Sequence, residues 1–262
     1  MKHILLGTTD IKVSQAGLGT AKLGRNQKMH YPSSFELPSD NAITELLGYA
    51  KELGINLLDT APAYGLSEER LGKLLKNQRH QWVISSKAGE EFINGESYYD
   101  FSSTAIRNSI ERSLKRLQTD FIDIFLIHSN GEDKKIILEN SALDTLKNLK
   151  KEGLIRAYGM STKTIEGGLL AIDHGADAVM ITFNPVNHEE KPVIDYAYQK
   201  NAGIFIKKAF ASGHLQKITG NDPIQTAIDF ILKEKGVTSI ILGTLNKKHL
   251  EHNVQCILGN MR

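Results

Sequence analysis

Residues 55–75 read Ile55-Asn56-Leu57-Leu58-Asp59-Thr60-Ala61-Pro62-Ala63-Tyr64-Gly65-Leu66-Ser67-Glu68-Glu69-Arg70-Leu71-Gly72-Lys73-Leu74-Leu75, one complete strand–loop–helix unit. Residues 55–58 are a short apolar run of the kind that forms a buried strand. Polar and turn-forming residues follow from Asp59 to Gly65. Ser67 and Glu69 then open a helix over 67–75. A strand that hands directly to a helix needs a crossover connection, which places the next strand parallel to it.

The same unit recurs on both sides. Upstream, 4–6 and 11–13 predict a hairpin and 16–18 the first strand of the main sheet. A helix over 39–54 follows, capped by Ser39 or Asp40, with Ile43, Leu46, Leu47 and Ala50 on one face and Gly54 as its stop. Downstream, strands are expected at 82–85, 122–127, 157–160, 178–183, 204–207 and 239–242. They alternate with helices at 102–117, 141–151, 164–174, 191–199, 222–235 and 247–258, Asp222-Pro223 forming a cap and first turn. Eight such pairs in 262 residues fit a closed (β/α)8 TIM barrel of the α/β class with a short N-terminal β-hairpin, in a single domain over 1–262. The rival is an open doubly wound sheet with a glycine-rich phosphate turn after its first strand. Gly17-Leu18-Gly19 lacks the third glycine that this turn requires.

The bulk numbers narrow the function. With 32 basic and 30 acidic residues the net charge is +2, without the dominant basic footprint of a nucleic-acid binder. Hydrophobic residues make up 40% and charged ones 24%, ordinary for a soluble globular protein. The run Ile4-Leu5-Leu6 is too short for a signal peptide, and no apolar run approaches the ~18 residues of a membrane span. The single cysteine, Cys256, cannot form an internal disulfide. A cytoplasmic protein without membrane or nucleic-acid partners is expected. His249 and His252 lie three apart on one predicted helix, but two histidines do not make a metal site, and none is expected.

In a βα barrel the chemistry sits at the C-terminal ends of the strands. After the second strand come Asp59 and Tyr64, after the third Lys87, after the fourth His128. Taken singly, each has an ordinary reading: a capping aspartate, a packed loop aromatic, a solvated lysine, a satisfied histidine. Together, on adjacent strands at one rim, they suit protonation of an oxygen on which negative charge develops. A free tyrosine holds its proton until pH ~10. An adjacent Lys87 ammonium is expected to lower that value, Asp59 to hold the lysine charged, and His128 to orient a carbonyl oxygen or relay a proton. No side chain supplies a hydride, so a cofactor must.

These motifs resemble the aldo-keto reductase family. Residues 54–65, followed by Ser67-Glu68 and Leu71-Gly72, are similar to its first signature, and Ser85-Ser86-Lys87-Ala88-Gly89 to its lysine motif. Arg116-Leu117-Gln118-Thr119-Asp120, with Ile122-Asp123 and Leu126-Ile127-His128, resembles its histidine motif, and Gly153–Ser161 its strand-five cofactor motif. The resemblance runs from Leu6 to about Asn253. It implies a catalytic tetrad of Asp59, Tyr64, Lys87 and His128, with Tyr64 the proton donor and a reduced nicotinamide the hydride source. It further implies cofactor contacts from Gly19, Thr20, Asp59, Ser161, Asn184, Lys207, Gly243 and Asn253, with NADPH the expected cofactor and NADH the alternative. The chain departs from the family at Ser161-Thr162, where Ser-Asn is common, and at Met180, where Gln is common. It departs again at Lys207-Lys208 after strand seven, and in 243–253, which lacks the usual arginine. Lys247, Lys248 and His249 are the candidates to meet a 2′-phosphate as point charges.

Only 90–101 looks like a sizeable loop beside the tetrad, with Phe92, Tyr98 and Tyr99 as candidate pocket walls. The loop 26–35 adds His30, Tyr31 and Phe35. The loops after strands four and seven and the C-terminal tail look brief, and the short tail suggests an open mouth and a small, broad-range carbonyl or sugar-like substrate. The expected function is reduction of an aldehyde or ketone, or the reverse oxidation, by a monomer or small homo-oligomer. The competing readings are a catalytically silent binding or regulatory protein on the same fold, and a Schiff-base lyase using Lys87. The second needs an uncharged lysine, which a neighbouring Asp59 opposes.

Overall fold

The computed structural model describes every residue except His30, Tyr31, Ser33, Met261 and Arg262, so the expectation for His30 and Tyr31 lies outside the described residues. An antiparallel hairpin of β1 (His3–Leu5) and β2 (Lys12–Ser14) leads into β3 (Ala16–Gly19), a single turn α1 (Ala21–Gly24) and α2 (Asp40–Glu52). Then come β4 (Leu57–Asp59), α3 (Ser67–Leu75), β5 (Val83–Ala88), a second hairpin of β6 (Glu90–Ile93) and β7 (Glu96–Tyr99), α4 (Ser103–Leu117) and β8 (Ile122–His128). The chain continues through α5 (Asp133–Leu138), α6 (Ala142–Lys151), β9 (Ile155–Ser161), α7 (Ile165–Asp173), β10 (Ala178–Thr182) and α8 (Lys191–Lys200). It ends with β11 (Gly203–Lys207), α9 (Pro223–Leu232), β12 (Ser239–Leu242) and α10 (Lys247–Gly259).

Eight parallel strands close on themselves in the order β10-β11-β12-β3-β4-β5-β8-β9, the (β/α)8 barrel that the alternation predicts. The helix starts follow their caps. Ser39 accepts from the amide of Ala42, Ser102 from Ala105, Thr164 from Gly167, and Asp222 from Ile224 and Gln225. Apolar side chains divide into two sets. Residues such as Ile43, Leu47, Ile106, Leu146 and Val254 pack helices on the outside of the sheet. Leu57, Ile124, Leu126, Ala157, Met180 and Phe205 fill the inside, joined by Leu6, Ile11 and Val13 from the first hairpin and its turn. The hairpin therefore plugs the bottom of the barrel, and the opposite mouth is left for chemistry.

Several family-motif residues turn out to hold this frame together. Glu68, fully buried on α3, accepts from Ser86 Oγ at 2.6 Å and pairs with Arg116 of α4 at 3.4 Å. A Cβ on Gly72 would lie 2.0 Å from the Arg116 carbonyl oxygen, so α3 and α4 approach as closely as they do only with glycine there. Asp123, near the start of β8 and so at the closed end, pairs with Arg79 at 2.7 Å and Arg156 at 2.8 Å and accepts from the Ile84 amide.

Two expectations about loops need correction. Residues 90–101 are not an irregular loop: β6 and β7 pair in register from Glu90 with Tyr99 to Ile93 with Glu96. The connections after strands four and seven are not brief either. The first contains α5, and the second carries helical turns at Ala211–Gly213 and Leu215–Lys217. Both segments are polar and lack a long apolar period, so neither announced itself.

Candidate active site

The mouth of the barrel holds a cavity of about 730 Å³, bounded at one end by Asp59, Tyr64, Lys87 and His128 and at the other by His249, His252 and Asn253. Strand register brings the first group together. Asp59 closes β4 opposite Ser85, and Lys87 lies two residues further along β5, opposite Leu126 on β8. His128 ends β8.

Lys87 is buried, and its ammonium uses all three hydrogens. It donates to Asp59 Oδ1 at 2.7 Å, to the Thr60 carbonyl at 2.8 Å and to Tyr64 Oη at 3.3 Å. Burial opposes its charge, but Asp59 and Tyr64 together outweigh burial and hold the ammonium above its ordinary pKa. The expectation of a lowered Tyr64 pKa is corrected: burial outweighs the downward pull that Lys87 does exert, and the net shift is upward. Although the ring keeps some exposure, its hydroxyl is enclosed, and burial pushes the phenol up to about 12 against the pull of Lys87, with Asp59 adding to the rise. Tyr64 therefore stays protonated throughout the neutral range.

His128 stands edge-on to Tyr64, ring centroids 6.2 Å apart. Its Nδ1 lies 2.9 Å from Oε2 of Glu90, the first residue of β6. Burial, partly offset by Glu90, lowers the pKa of the ring. Burial also opposes the Glu90 charge, but contact with His128 and a hydrogen bond from Ser97 overcome it and bring the carboxyl down to about 2. Glu90 had no signal in the sequence, because rim positions are read from strand ends and this residue lies on a hairpin beyond one.

On the far side of the mouth, Lys207 ends β11 and donates to Ser161 Oγ at 2.9 Å and to the Thr162 carbonyl at 2.7 Å. Its ammonium is enclosed, and burial brings it down to about 8 despite the nearby Glu190. Gly19, Asp59, Ser161, Lys207, Gly243 and Asn253 line the cavity. Two of the residues singled out for the cofactor do not. Thr20 is buried, donating to the Asp59 carbonyl at 2.9 Å and accepting from Ser67 at 2.8 Å. Asn184 is buried in its own turn, donating to the Lys208 carbonyl and accepting from the amides of Val186 and Asn187. Glu190, Phe210 and Lys22 line the cavity and were not anticipated. The aromatics of 90–101 stay out of it: Phe92 lies under the Arg25 guanidinium at 3.4 Å, and Tyr99 stacks on Phe101.

Asp222, His252 and Cys256 bring three metal-ligating atoms within 4.8 Å of one another. One oxygen of Asp222 caps α9 and the other meets His252 Nε2 at 2.9 Å, so the group is accounted for as a cap and an ion pair. No described helix is long and apolar enough to cross a membrane.

A closed βα barrel with a lysine held between an aspartate and a tyrosine at its mouth defines a class, and comparison with known proteins names it. The Aldo/keto reductase family model matches residues 16–224, and the chain belongs to that family of oxidoreductases. A solved structure described as an aldo-keto reductase of Pseudomonas aeruginosa is 47% identical, covers 99% of this chain and 95% of its own, and superposes with a TM-score of 0.91. The uncharacterised oxidoreductase YqkF of Bacillus subtilis is 35% identical over 62% of this chain and 49% of its own length. An NADH-specific methylglyoxal reductase of Escherichia coli is 34% identical over 61% of this chain and 51% of its own. The matched part thus spans about half the length of these last two relatives.

Proposed function

We propose that the chain reduces an aldehyde or ketone to an alcohol, or runs the reverse oxidation, with residues 1–262 working as a single catalytic domain. The observation that carries this reading is the threefold contact of the Lys87 ammonium with Asp59, Thr60 and Tyr64. An ammonium can only donate, so the Tyr64 oxygen accepts, and its own hydrogen is left for a partner in the cavity. As a carbonyl carbon becomes tetrahedral, its oxygen gains negative charge, and Tyr64 gives it the proton. The phenolate that remains lies beside a cation that Asp59 keeps charged. Lys87 thus acts on the product of the proton transfer rather than by ionising Tyr64 beforehand. The same charge on Lys87 opposes a Schiff-base lyase, which needs a neutral amine.

A nicotinamide dinucleotide held in this cavity would supply the hydride. The donor set fits such a group. Lys22, Lys163, Lys207 and Lys208 line the trough between the tetrad and Asn253, and a dinucleotide is an anion. Ser161 and Asn253 offer hydroxyl and amide contacts at its two ends. NADPH is the proposed cofactor and NADH the alternative, the latter favoured by the name of the Escherichia coli relative. The substrate is a small carbonyl or sugar-like molecule, and the protein works in the cytoplasm as a monomer or small homo-oligomer.

Tyr64→Phe tests the assignment. It should bind NADPH as tightly as the parent, by fluorescence titration, and lose about 10²–10⁴-fold in kcat with a simple aldehyde. Turnover within a few-fold of the parent would remove Tyr64 from the role.

A further inference from the structure

We infer that Glu90 is a positioning residue for His128: it fixes a proton on Nδ1, so that Nε2 presents a lone pair to an alcohol when the ring is neutral and an N–H to a carbonyl oxygen only when the ring is protonated. This rests on the carbonyl–alcohol reading above and adds a dependence of reaction direction on pH. An ionised carboxylate only accepts, so the nitrogen facing it must carry hydrogen. Neutral imidazole has one hydrogen to place, and placing it on Nδ1 leaves Nε2 bare. No proton moves to His128 in the neutral state; the ring accepts a hydrogen bond from the alcohol O–H.

The arrangement is built rather than incidental. Gly89 takes φ +104, which turns the chain out of β5 and starts β6 with Glu90. A Cβ on Gly89 would lie 2.4 Å from the Phe101 ring, so that turn is reserved for glycine. Ser97 of β7 donates to Oε1 of Glu90 at 2.7 Å, leaving Oε2 for His128 Nδ1 at 2.9 Å. Nδ1 is buried and makes no other hydrogen bond, and Oε2 of Glu90 is the carboxylate oxygen within reach of it, although the two are not aligned as a hydrogen bond in this structure. Around the ring, Glu90 faces it from β6, Lys87 from β5 and Lys207 from β11, with the Tyr64 ring at its edge. One anion therefore opposes two cations, and Glu90 is the group that permits a protonated ring at all. Its own carboxyl, down at about 2, stays charged across the working range.

Nitrogen NMR of His128 in the parent protein, without cofactor or substrate, reads the tautomer directly and does not depend on activity. In the parent, above the ring's pKa, Nδ1 should carry the proton; in Glu90→Ala the proton should move mainly to Nε2. The His128 pKa should fall by about one unit or more in both Glu90→Gln and Glu90→Ala. With an aldehyde substrate, the pH profile of kcat for reduction should shift to lower pH by the same amount in Glu90→Gln, with cofactor affinity unchanged, and Glu90→Asp should restore part of it. A parent ring protonated on Nε2, or a His128 pKa unmoved in both variants, would overturn the inference. Absence of carbonyl reduction with a normal NMR result would instead strike at the proposed function.

Discussion

Lys87 and Lys207 occupy equivalent places, each near the C-terminal end of a barrel strand. In the strand order β5 and β11 stand four apart, on opposite sides of the mouth. Both ammonium groups are enclosed, and burial penalises the charge of both. Lys87 touches a carboxylate at 2.7 Å and is held above its ordinary pKa, with Asp59 the largest force against burial. Lys207 donates only to a hydroxyl and a carbonyl, and Glu190, whose Oε1 accepts from the Thr182 amide, does not bond to it; its pKa comes down to about 8. Direct contact with a carboxylate partner, rather than position in the fold, decides which of the two lysines stays a cation. The Lys87 side is thereby suited to stabilising an anion that forms during reaction. The Lys207 side is a place where charge is conditional.

The largest effect that follows is in Lys87→Met. Asp59 would be left buried without its cation, which costs about 3–5 kcal/mol of stability. The developing phenolate would lose its neighbour, and kcat should fall by about 10²-fold or more. Urea unfolding and steady-state turnover read the two. Lys207→Met should cost much less in both, because it strands no contacting carboxylate. Equal losses in the two variants would break the contrast. Adding Asp59→Leu to Lys87→Met should recover stability without recovering turnover, which separates the buried charge from the chemistry.

Most of the fold was legible because βα barrels write themselves twice, in apolar strand runs and in helix caps. Ser39, Ser102, Thr164 and Asp222 each start a helix where a capping residue precedes an apolar period. The tetrad was legible for a related reason: strand ends are short and polar residues at them stand out. What escaped was decided by distance in space. Glu90 meets His128 across 38 positions of chain, and nothing in Ala88-Gly89-Glu90 announces that a hairpin will aim a carboxylate at the next strand's histidine. The direction of the Tyr64 shift escaped because a sequence names neighbours but not solvent. Lys87 was correctly seen as a stabilising neighbour, yet burial of the hydroxyl outweighs it. Thr20 and Asn184 sit where the family motif suggests contacts, but their side chains are engaged with Asp59, Ser67 and the 184–187 turn.

The pH dependence of stability sharpens the comparison with a change of sign. An unfolded lysine titrates near ~10.4. Lys207 in the folded protein titrates at about 8, so between these values the unfolded chain holds more protons and stability rises with pH. Lys87, raised in the folded state, contributes stability that is full below ~10.4 and lost as pH climbs through its folded pKa. Between pH 8 and 10, the parent should therefore gain stability relative to Lys207→Met. The upper limit is about 3 kcal/mol. Denaturant midpoints at a series of pH values measure it. Parallel curves for the two proteins would mean that Lys207 is not depressed.

The smallest effect concerns the dispersed cations beyond Lys207, at the start of α10. Lys247 is engaged by Glu45 at 2.7 Å, which leaves exposed Lys248 and cavity-lining His249 as the groups near Asn253 able to meet a 2′-phosphate. Unlike the Asp59–Lys87 pair, a point charge in solvent is screened, and such contacts are worth about 1 kcal/mol or less. The Michaelis constant for NADPH should nevertheless lie below that for NADH. Lys248→Ala should raise the NADPH value by roughly two- to fivefold, most clearly at low salt, and leave the NADH value unchanged. A lower constant for NADH in the parent would assign the chain to the other dinucleotide. An equal rise for both cofactors in Lys248→Ala would mean that Lys248 senses the pyrophosphate common to the two, and that the Lys207 side of the mouth binds by general positive charge rather than by a phosphate site.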